Sequence, residues 1–284
     1  MPEVVLAVEQ LTKNYPNFQL GPITFSLERG SITGCIGRNG AGKSTTIKLI
    51  TNLIKPHSGS IHYDISEKNI ECRIGYLGEN RELYPDMSLA SITRFIKRAY
   101  RKQWNQKKYD DYIARFRLDQ KMALKQLSTG NKVKYLTALE LSKEPEVLFM
   151  DEPTSGLDPI VRDEVLHILK SLCDDEKLTV FFSSHITEDI EKIADTIIYI
   201  DDGKIILNAT KDEIASRFIK FKADERERIE SEGLLNCCIY ANGYYILDLE
   251  NADKNLNLQS FSTCVFSLDD VLIALSTKQG ENHA

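Results

Sequence analysis

The sequence predicts an α/β fold, and three observations indicate it. The apolar run Ser31–Ile36 leads through a glycine-rich loop into Thr45–Ile50, which has helical spacing. The run Glu146–Met150 is continuously apolar, as is typical of a parallel strand that is covered on both faces. After it, helical and strand patterns alternate as far as residue 207, which favours further strands and helices of the same sheet.

Short runs of β-branched residues, bounded by glycine, proline or charged residues, predict strands in the first part of the chain. They are Val4–Val8, Ile23–Leu27, Ser31–Ile36, Ser60–Tyr63 and Arg73–Leu77. The segment 88–142 differs, because its apolar residues recur at spacings of three and four. The helices predicted in this segment are Ser88–Tyr100, Tyr109–Leu118 and Asn131–Leu141.

The alternating pattern resumes after this helical segment. The elements predicted there are Glu146–Met150 (strand), Val161–Leu172 (helix), Leu178–Phe182 (strand), Ile186–Ile193 (helix), and the strands Asp195–Ile200 and Lys204–Leu207. The charged stretch Lys220–Glu232 is typical of a linker or a solvated helix. Beyond it, Asn242-Gly243 predicts a hairpin between two apolar runs, and Ser267 is the expected N-cap of a last helix. The strands and helix of this end are Leu235–Tyr240, Tyr244–Leu249, Cys264–Phe266 and Leu268–Leu275.

The composition of the 284 residues narrows the class of protein. A formal charge of −6 argues against nucleic acid as the main partner, because a phosphate backbone requires a basic surface. No apolar run approaches the ~20 residues of a membrane-spanning helix, and the N-terminal residues predict a strand rather than a secretion signal. Six cysteines without CxxC spacing indicate reduced thiols. We therefore expect a cytoplasmic chain that is soluble by itself.

The loop Gly37–Ser44 fits the pattern of glycine, four residues, then Gly-Lys-Ser, which predicts a phosphate-binding Walker A loop. Glycines let backbone N–H groups surround phosphate oxygens, and the following helix directs its positive end at them. Lys43 is the expected ligand of the β- and γ-phosphates, and the Ser44 hydroxyl is the expected ligand of Mg²⁺. A tight turn with a chance lysine is the alternative. The predicted ATP-binding residues of this loop are Gly37, Arg38, Asn39, Gly40, Ala41, Gly42, Lys43, Ser44 and Thr45.

Two acidic residues follow the apolar strand that ends at Met150. Strands of a parallel sheet present their carboxyl ends at the edge where ligands bind, so these acids are expected beside the phosphate loop. Asp151 would hold Mg²⁺, and Glu152 would polarise the water that attacks the γ-phosphate. Leu127–Asn131, which opens a helix, adds a serine and a glycine at a second candidate anion site.

With these motifs in this order, residues 4–217 resemble the ATP-binding subunit of an ABC transporter. The resemblance implies a P-loop NTPase core (residues 1–217) with a mixed sheet, an antiparallel β subdomain and a helical insert at about 82–142. Residues 218–284 would then be a small α+β accessory region, which either serves dimerisation or regulation or only covers a sheet edge. The resemblance also implies that Mg–ATP binds between two head-to-tail subunits. Ser128 and Gly130 would then contact the nucleotide of the second ATP-binding subunit.

Further site residues follow from the same resemblance. His185 corresponds to the switch histidine that contacts the γ-phosphate and orders the attacking water, and 155–158 corresponds to a loop at the dimer interface. Tyr15 either stacks on adenine or is an ordinary tyrosine at a strand edge. Glu79 stands where the family usually has glutamine, and we expect it to be a Mg²⁺ ligand. Thr129 and Asn131 also depart from the usual glycine and glutamine.

The function implied is ATP hydrolysis that powers transport through a separate permease, at the cytoplasmic face of the membrane. A short chain of this kind resembles the bacterial branch that exports drugs, antibiotics or peptides. The alternatives are a non-hydrolytic regulatory subunit and a soluble ABC ATPase. Basic residues in the helical insert are either a solvated face or a surface near anionic lipid headgroups; they are Lys97, Arg98, Arg101, Lys102, Lys107 and Lys108.

Overall fold

A computed structural model describes residues 3–65, 73–79, 84–101, 103–232, 234, 238–251 and 261–281. The chain divides into two compact units, Met1–Ile205 and Ile206–Ala284. Five earlier predictions fall in part outside the described residues: the strand Leu235–Tyr240, the basic residue Lys102, the start of the helical insert, the accessory region 218–284, and the reduced thiols, of which two are at positions 72 and 237.

The first unit alternates strands and helices as the sequence predicts. Its strands are β1 (Val4–Tyr15), β2 (Phe18–Glu28), β3 (Ile32–Ile36), β4 (Ser58–Tyr63), β5 (Ile74–Leu77), β6 (Val147–Met150), β7 (Thr179–Ser184), β8 (Thr196–Asp201) and the start of β9 (Lys204–Thr210). Its helices are α1 (Lys43–Ile50), α2 (Leu89–Ala99), α3 (Gln106–Arg115), α4 (Thr129–Leu141), α5 (Pro159–Glu176) and α6 (Thr187–Ile193).

Within the described ranges, β3 and β5 to β9 form a sheet in the order β5-β6-β7-β3-β8-β9. The neighbours from β5 to β8 run parallel, which places the ends of β3, β6 and β7 at one edge. A second, antiparallel sheet has the order β2-β1-β4. Buried residues of both sheets and of α1 form one apolar core. The predicted α/β class, mixed sheet and antiparallel subdomain are confirmed.

The helical insert is ordered by caps and by a buried hydroxyl network. The Ser88 side chain caps α2 by accepting a hydrogen bond from the Ser91 N–H group. Inside the insert, the hydroxyl groups of Tyr109 and Tyr135 both lie within hydrogen-bond distance of the Thr93 hydroxyl, at 2.7 and 3.0 Å. This network satisfies polar atoms that burial would otherwise leave unpaired.

The second unit contains the strands β10 (Phe218–Lys222), β11 (Cys238–Ala241), β12 (Tyr244–Asp248) and β13 (Thr263–Cys264). Its helices are α7 (Lys211–Arg217), α8 (Arg226–Ser231) and α9 (Leu268–Glu281). The strands of this unit, as far as they are described, pair in the antiparallel order β11-β12-β10-β13. The predicted hairpin is confirmed, because Asn242 and Gly243 both have positive φ. The predicted cap is also confirmed, since the Asp270 N–H group donates to the Ser267 hydroxyl.

The interpretation of Lys220–Glu232 as a linker or solvated helix is wrong for its first part. Phe218 and Phe221 are buried in β10, a strand with neighbours on both sides. Lys220 is buried as well. Its ammonium group lies 2.8 Å from the Asp270 carboxylate and 3.9 Å from the centre of the Tyr244 ring, and these contacts compensate for the loss of hydration. A charge count along the sequence does not reveal these partners.

The boundary between the units falls after residue 205, twelve residues before the one placed by sequence. Arg217, at the end of α7, makes two hydrogen bonds to the Asp248 carboxylate, at 2.8 and 2.9 Å. A two-point contact between a guanidinium and a carboxylate is strongly directional. This contact holds α7 against β12. Helix α7 therefore belongs to the second unit, although it directly follows β9, the last strand of the large sheet.

Candidate functional site

The glycine-rich loop connects the end of β3 to the start of α1. Gly40 and Gly42 have φ angles of 83° and 117°, which residues with a side chain rarely adopt. A Cβ atom on Gly37 would lie 2.3 Å from the backbone oxygen of Ile200, so this glycine is required by close approach. Lys43, the first residue of α1, is 5% exposed and donates to the backbone oxygen atoms of Gly37 (2.7 Å) and Arg38 (3.2 Å).

The two acidic residues lie directly after β6, at the same edge of the sheet. Asp151 is 2% exposed and Glu152 is 7% exposed. The Ser183 hydroxyl on β7 links them, because it donates to Asp151 Oδ1 (2.7 Å) and accepts from the Glu152 N–H group (2.9 Å). Glu152 has a φ of 50°, an uncommon angle for a residue with a long side chain.

Three side chains that the sequence predicts to act on the γ-phosphate or on the attacking water meet at this edge. Glu152 Oε1 lies 3.3 Å from Lys43 Nζ. The other carboxylate oxygen, Oε2, is hydrogen-bonded to His185 Nδ1 at 2.8 Å. The carboxylate is thus held between a buried ammonium group and an imidazole that is partly open to solvent. Such an arrangement can orient a carboxylate for proton transfer.

A cavity of about 360 Å³ opens beside this group of side chains. Glu79 is part of its wall, so the structure brings it near Ser44 and Glu152. Tyr15 does not belong to the described wall; it is 43% exposed, and its ring lies 6.4 Å from that of Phe18, which does. The wall consists of Phe18, Asn39, Gly40, Gly42, Lys43, Ser44, Thr45, Glu79, Glu152, Ser155 and His185.

Ser128 and Gly130 lie at the start of α4 and, among the described residues, are not part of this wall. The Ser128 hydroxyl caps α4 by accepting from the Asn131 N–H group at 3.3 Å. A Cβ atom on Gly130 would lie 2.2 Å from Val161 Cγ1, so a larger residue would collide with α5. Both positions are therefore separate from the cavity of their own chain.

The sequence profile of the family described as ABC transporter matches residues 20–155. Over 236 residues the chain is 30% identical to the bacitracin transport ATP-binding protein BcrA of Bacillus licheniformis, covering 79% of this chain and 76% of that relative. The chain belongs to the ABC transporter family. It has an ATP-binding domain of this family, and the predicted phosphate loop Gly37–Ser44 lies within the residues that the family profile matches.

A second curated relative and a solved structure also belong to ABC transporters. The chain is 32% identical over 225 residues to the probable multidrug ABC transporter ATP-binding protein YbhF of Escherichia coli, covering 76% of this chain but 39% of that relative's length. Its fold superposes on cbiO1 of Clostridium perfringens, part of the ABC transporter complex cbiONQ, with a TM-score of 0.65 and 26% identity. That superposition covers 82% of this chain and 96% of the other.

The site of this ABC family member also contains residues that the sequence analysis did not find. Phe18 lines the cavity, whereas the aromatic residue chosen from the sequence was Tyr15. Ser183 makes hydrogen bonds to both acidic residues. The sequence could have indicated it, because Ser183 lies two residues before His185 and residues two apart in an extended segment share one face. Thr154 donates at 2.6 Å to Asp189 on α6, which fixes the loop after Glu152. Burial raises the pKa of Asp189, although Thr154 and Arg162 oppose this.

Proposed function

We propose that this ABC family member binds Mg–ATP and hydrolyses it, and that hydrolysis powers the export of a drug, antibiotic or peptide through a separate permease. The observation that carries the proposal is the contact of Glu152 with both Lys43 and His185 at the wall of one cavity. A general base, a cation for phosphate oxygens and a second hydrogen-bonding group are the parts that in-line attack of water requires.

ATP would occupy the cavity with its phosphates against the glycine-rich loop. Lys43 is already desolvated, so an arriving phosphate gains a strong electrostatic contact without a large cost of dehydrating the ammonium group. Glu152 would then accept a proton from the attacking water, and His185 would hold the position of the carboxylate and of the γ-phosphate. The adenine ring would stack on an aromatic side chain, for which Phe18 and Tyr15 are the candidates.

Mg²⁺ fits the residues present. It prefers oxygen ligands and usually shares them between one or two carboxylates, water and substrate phosphates. Ser44 and Glu79 line the cavity, and Asp151 is fixed beside it by Ser183. Among the described residues, no group of three or more His, Cys, Asp or Glu side chains could hold a metal, which favours binding that depends on the phosphates. When bound, the ion would neutralise charge that develops on the phosphate oxygens.

A second ATP-binding subunit, identical or different, would complete the site. Ser128 and Gly130 do not line the cavity of their own chain, so their predicted contact with nucleotide requires a partner subunit. No described helix has the length and apolar character needed to cross a bilayer. Transport would therefore need a permease, and the chain would act as a peripheral subunit on the cytoplasmic face. The names of BcrA and YbhF support a drug or antibiotic as cargo.

Steady-state ATP hydrolysis by the purified chain tests the proposal. We expect Mg²⁺-dependent hydrolysis that falls about 10²- to 10⁴-fold in Glu152→Gln, the range typical of a lost general base. Glu230→Gln is the matched control, because Glu230 is an exposed glutamate of the second unit. Equal rates for the wild-type protein and Glu152→Gln would refute hydrolysis at this site and leave the regulatory alternative.

A further inference from the structure

The helix α2 carries a row of cations on the side away from its buried residues. Arg94, Lys97 and Arg98 have the spacing i, i+3, i+4, which places them on one face, and Arg101 follows just after the helix. All four side chains are exposed. We refer to these four residues as the basic face.

The basic face has few internal partners. Lys97 donates to Gln106 Oε1 at 2.7 Å, but Arg94, Arg98 and Arg101 form no ion pair or side-chain hydrogen bond with any described residue. Like charges four residues apart destabilise a helix. The helix dipole favours cations in the last turn but does not account for Arg94 in the middle of α2. In a chain of net charge −6, a positive cluster whose arginines have no acidic partner among the described residues favours an external anion.

An aromatic residue stands within the same cluster. A cavity of about 460 Å³ is lined by the basic face together with Trp104 and Gln106. Trp104 is the single tryptophan of the chain; its Nε1–H group donates to Gln106 Oε1 at 2.9 Å, and its ring lies 5.2 Å from that of Tyr109. Tryptophan is enriched at the headgroup level of membranes, where one part of the ring is apolar and the N–H group is polar.

We propose that the basic face and Trp104 bind the anionic headgroups of membrane phospholipids. Guanidinium groups bind phosphate oxygens through two parallel hydrogen bonds, and Arg94, Arg98 and Arg101 offer three such groups on one exposed face. A membrane of phosphate-bearing lipids fits this face better than a carboxylate-bearing peptide does. The headgroups form a flat array, so they can contact all the cations of the helix face at once. This interaction goes beyond the proposed function, since it needs neither ATP nor a permease.

The fluorescence of Trp104 gives a direct test with the full chain. Titration with phosphatidylcholine vesicles is compared with titration with vesicles of equal parts phosphatidylcholine and phosphatidylglycerol, both without nucleotide. We expect a blue shift only with phosphatidylglycerol, reversed in about 1 M salt, where the Debye length is about 3 Å. Brominated lipid in the same vesicles should quench the signal, which places Trp104 at the bilayer surface.

Variants separate the basic face from overall charge. R94Q/R98Q/R101Q should bind these vesicles about a hundred-fold more weakly, at about five-fold per cation. R117Q/K121Q/K204Q removes three exposed cations elsewhere and should bind within about two-fold of the wild-type protein. Equal loss in both variants, equal binding to both kinds of vesicle, or no binding by the wild-type protein would overturn the proposal. Failure of ATP hydrolysis would not affect this result, because the assay contains no nucleotide.

Discussion

Substitution of Glu152 by glutamine should have opposite effects on the stability of the nucleotide-free protein and on its affinity for ATP. Glu152 Oε1 lies 3.3 Å from Lys43 Nζ, and both side chains are less than 10% exposed. At an effective dielectric constant of about 20, two unit charges at this distance attract by about 5 kcal/mol. Loss of one partner of a buried pair costs about 3–5 kcal/mol, because the other charge stays buried.

We expect the lower end of this range, since Lys43 retains its hydrogen bonds to Gly37 and Arg38. The free energy of unfolding of the nucleotide-free protein should therefore fall by about 3 kcal/mol in Glu152→Gln. ATP phosphates would restore an anion beside Lys43. If they recover half of that loss, the variant binds ATP about ten-fold more tightly than the wild-type protein, since a factor of ten corresponds to about 1.4 kcal/mol.

Urea unfolding followed by the fluorescence of Trp104, with and without a non-hydrolysable ATP analogue, measures the stability of the first unit. Calorimetric titration measures the affinity. Glu230→Gln again serves as the control and should change the free energy of unfolding by less than about 0.5 kcal/mol. An unchanged unfolding free energy in Glu152→Gln, or weaker binding of ATP, would show that the carboxylate does not balance the charge of Lys43.

Three further predictions concern other parts of the structure. Ser183→Ala should lower the free energy of unfolding by about 1–3 kcal/mol and lower kcat, because a buried N–H group loses its acceptor; urea unfolding and an ATPase assay measure both. Phe18→Ala should weaken ATP binding by about 1–3 kcal/mol in a calorimetric titration and Tyr15→Ala by less, since only Phe18 lines the cavity; the reverse order would assign the stacking to Tyr15. Burial opposes ionisation of Asp270, but hydrogen bonds from Lys220 and Ser267 outweigh it and lower the pKa of this carboxyl. Its contribution to stability should be fully present above the unfolded pKa of about 3.9 and be lost as the pH falls through the lower pKa of the folded state, so that wild-type and Asp270→Asn unfolding curves converge in acid.

Local patterns were sufficient to predict most of the first unit. The strand that ends at Ile36 and the helix that starts at Lys43 are linked by a loop in which each glycine has a backbone reason: Gly37 has no room for a Cβ atom, and Gly40 and Gly42 have positive φ. The glycine pattern in the sequence is therefore specific. The hairpin at Asn242 was predictable for the same reason, because its turn requires two positive φ angles.

The features that sequence reasoning did not find depend on contacts between distant residues. Lys220 is part of a buried strand because Asp270, fifty residues later, neutralises it. Phe18 reaches the cavity because β1 and β2 form a hairpin whose register places it, rather than the more exposed Tyr15, beside the glycine-rich loop. No local pattern encodes either pairing, since each depends on which elements become neighbours in the folded chain.

The backbone of Glu152 has a consequence for how this position responds to mutation. A φ of 50° costs a long side chain about 1–3 kcal/mol, and glycine would adopt it without that cost. In a library screened only for expression or heat resistance, the relief of this strain should offset much of the ~3 kcal/mol lost with the ion pair, so glycine at position 152 should be tolerated better than glutamine. A screen that requires turnover should retain only glutamate, because neither glycine nor glutamine supplies the carboxylate.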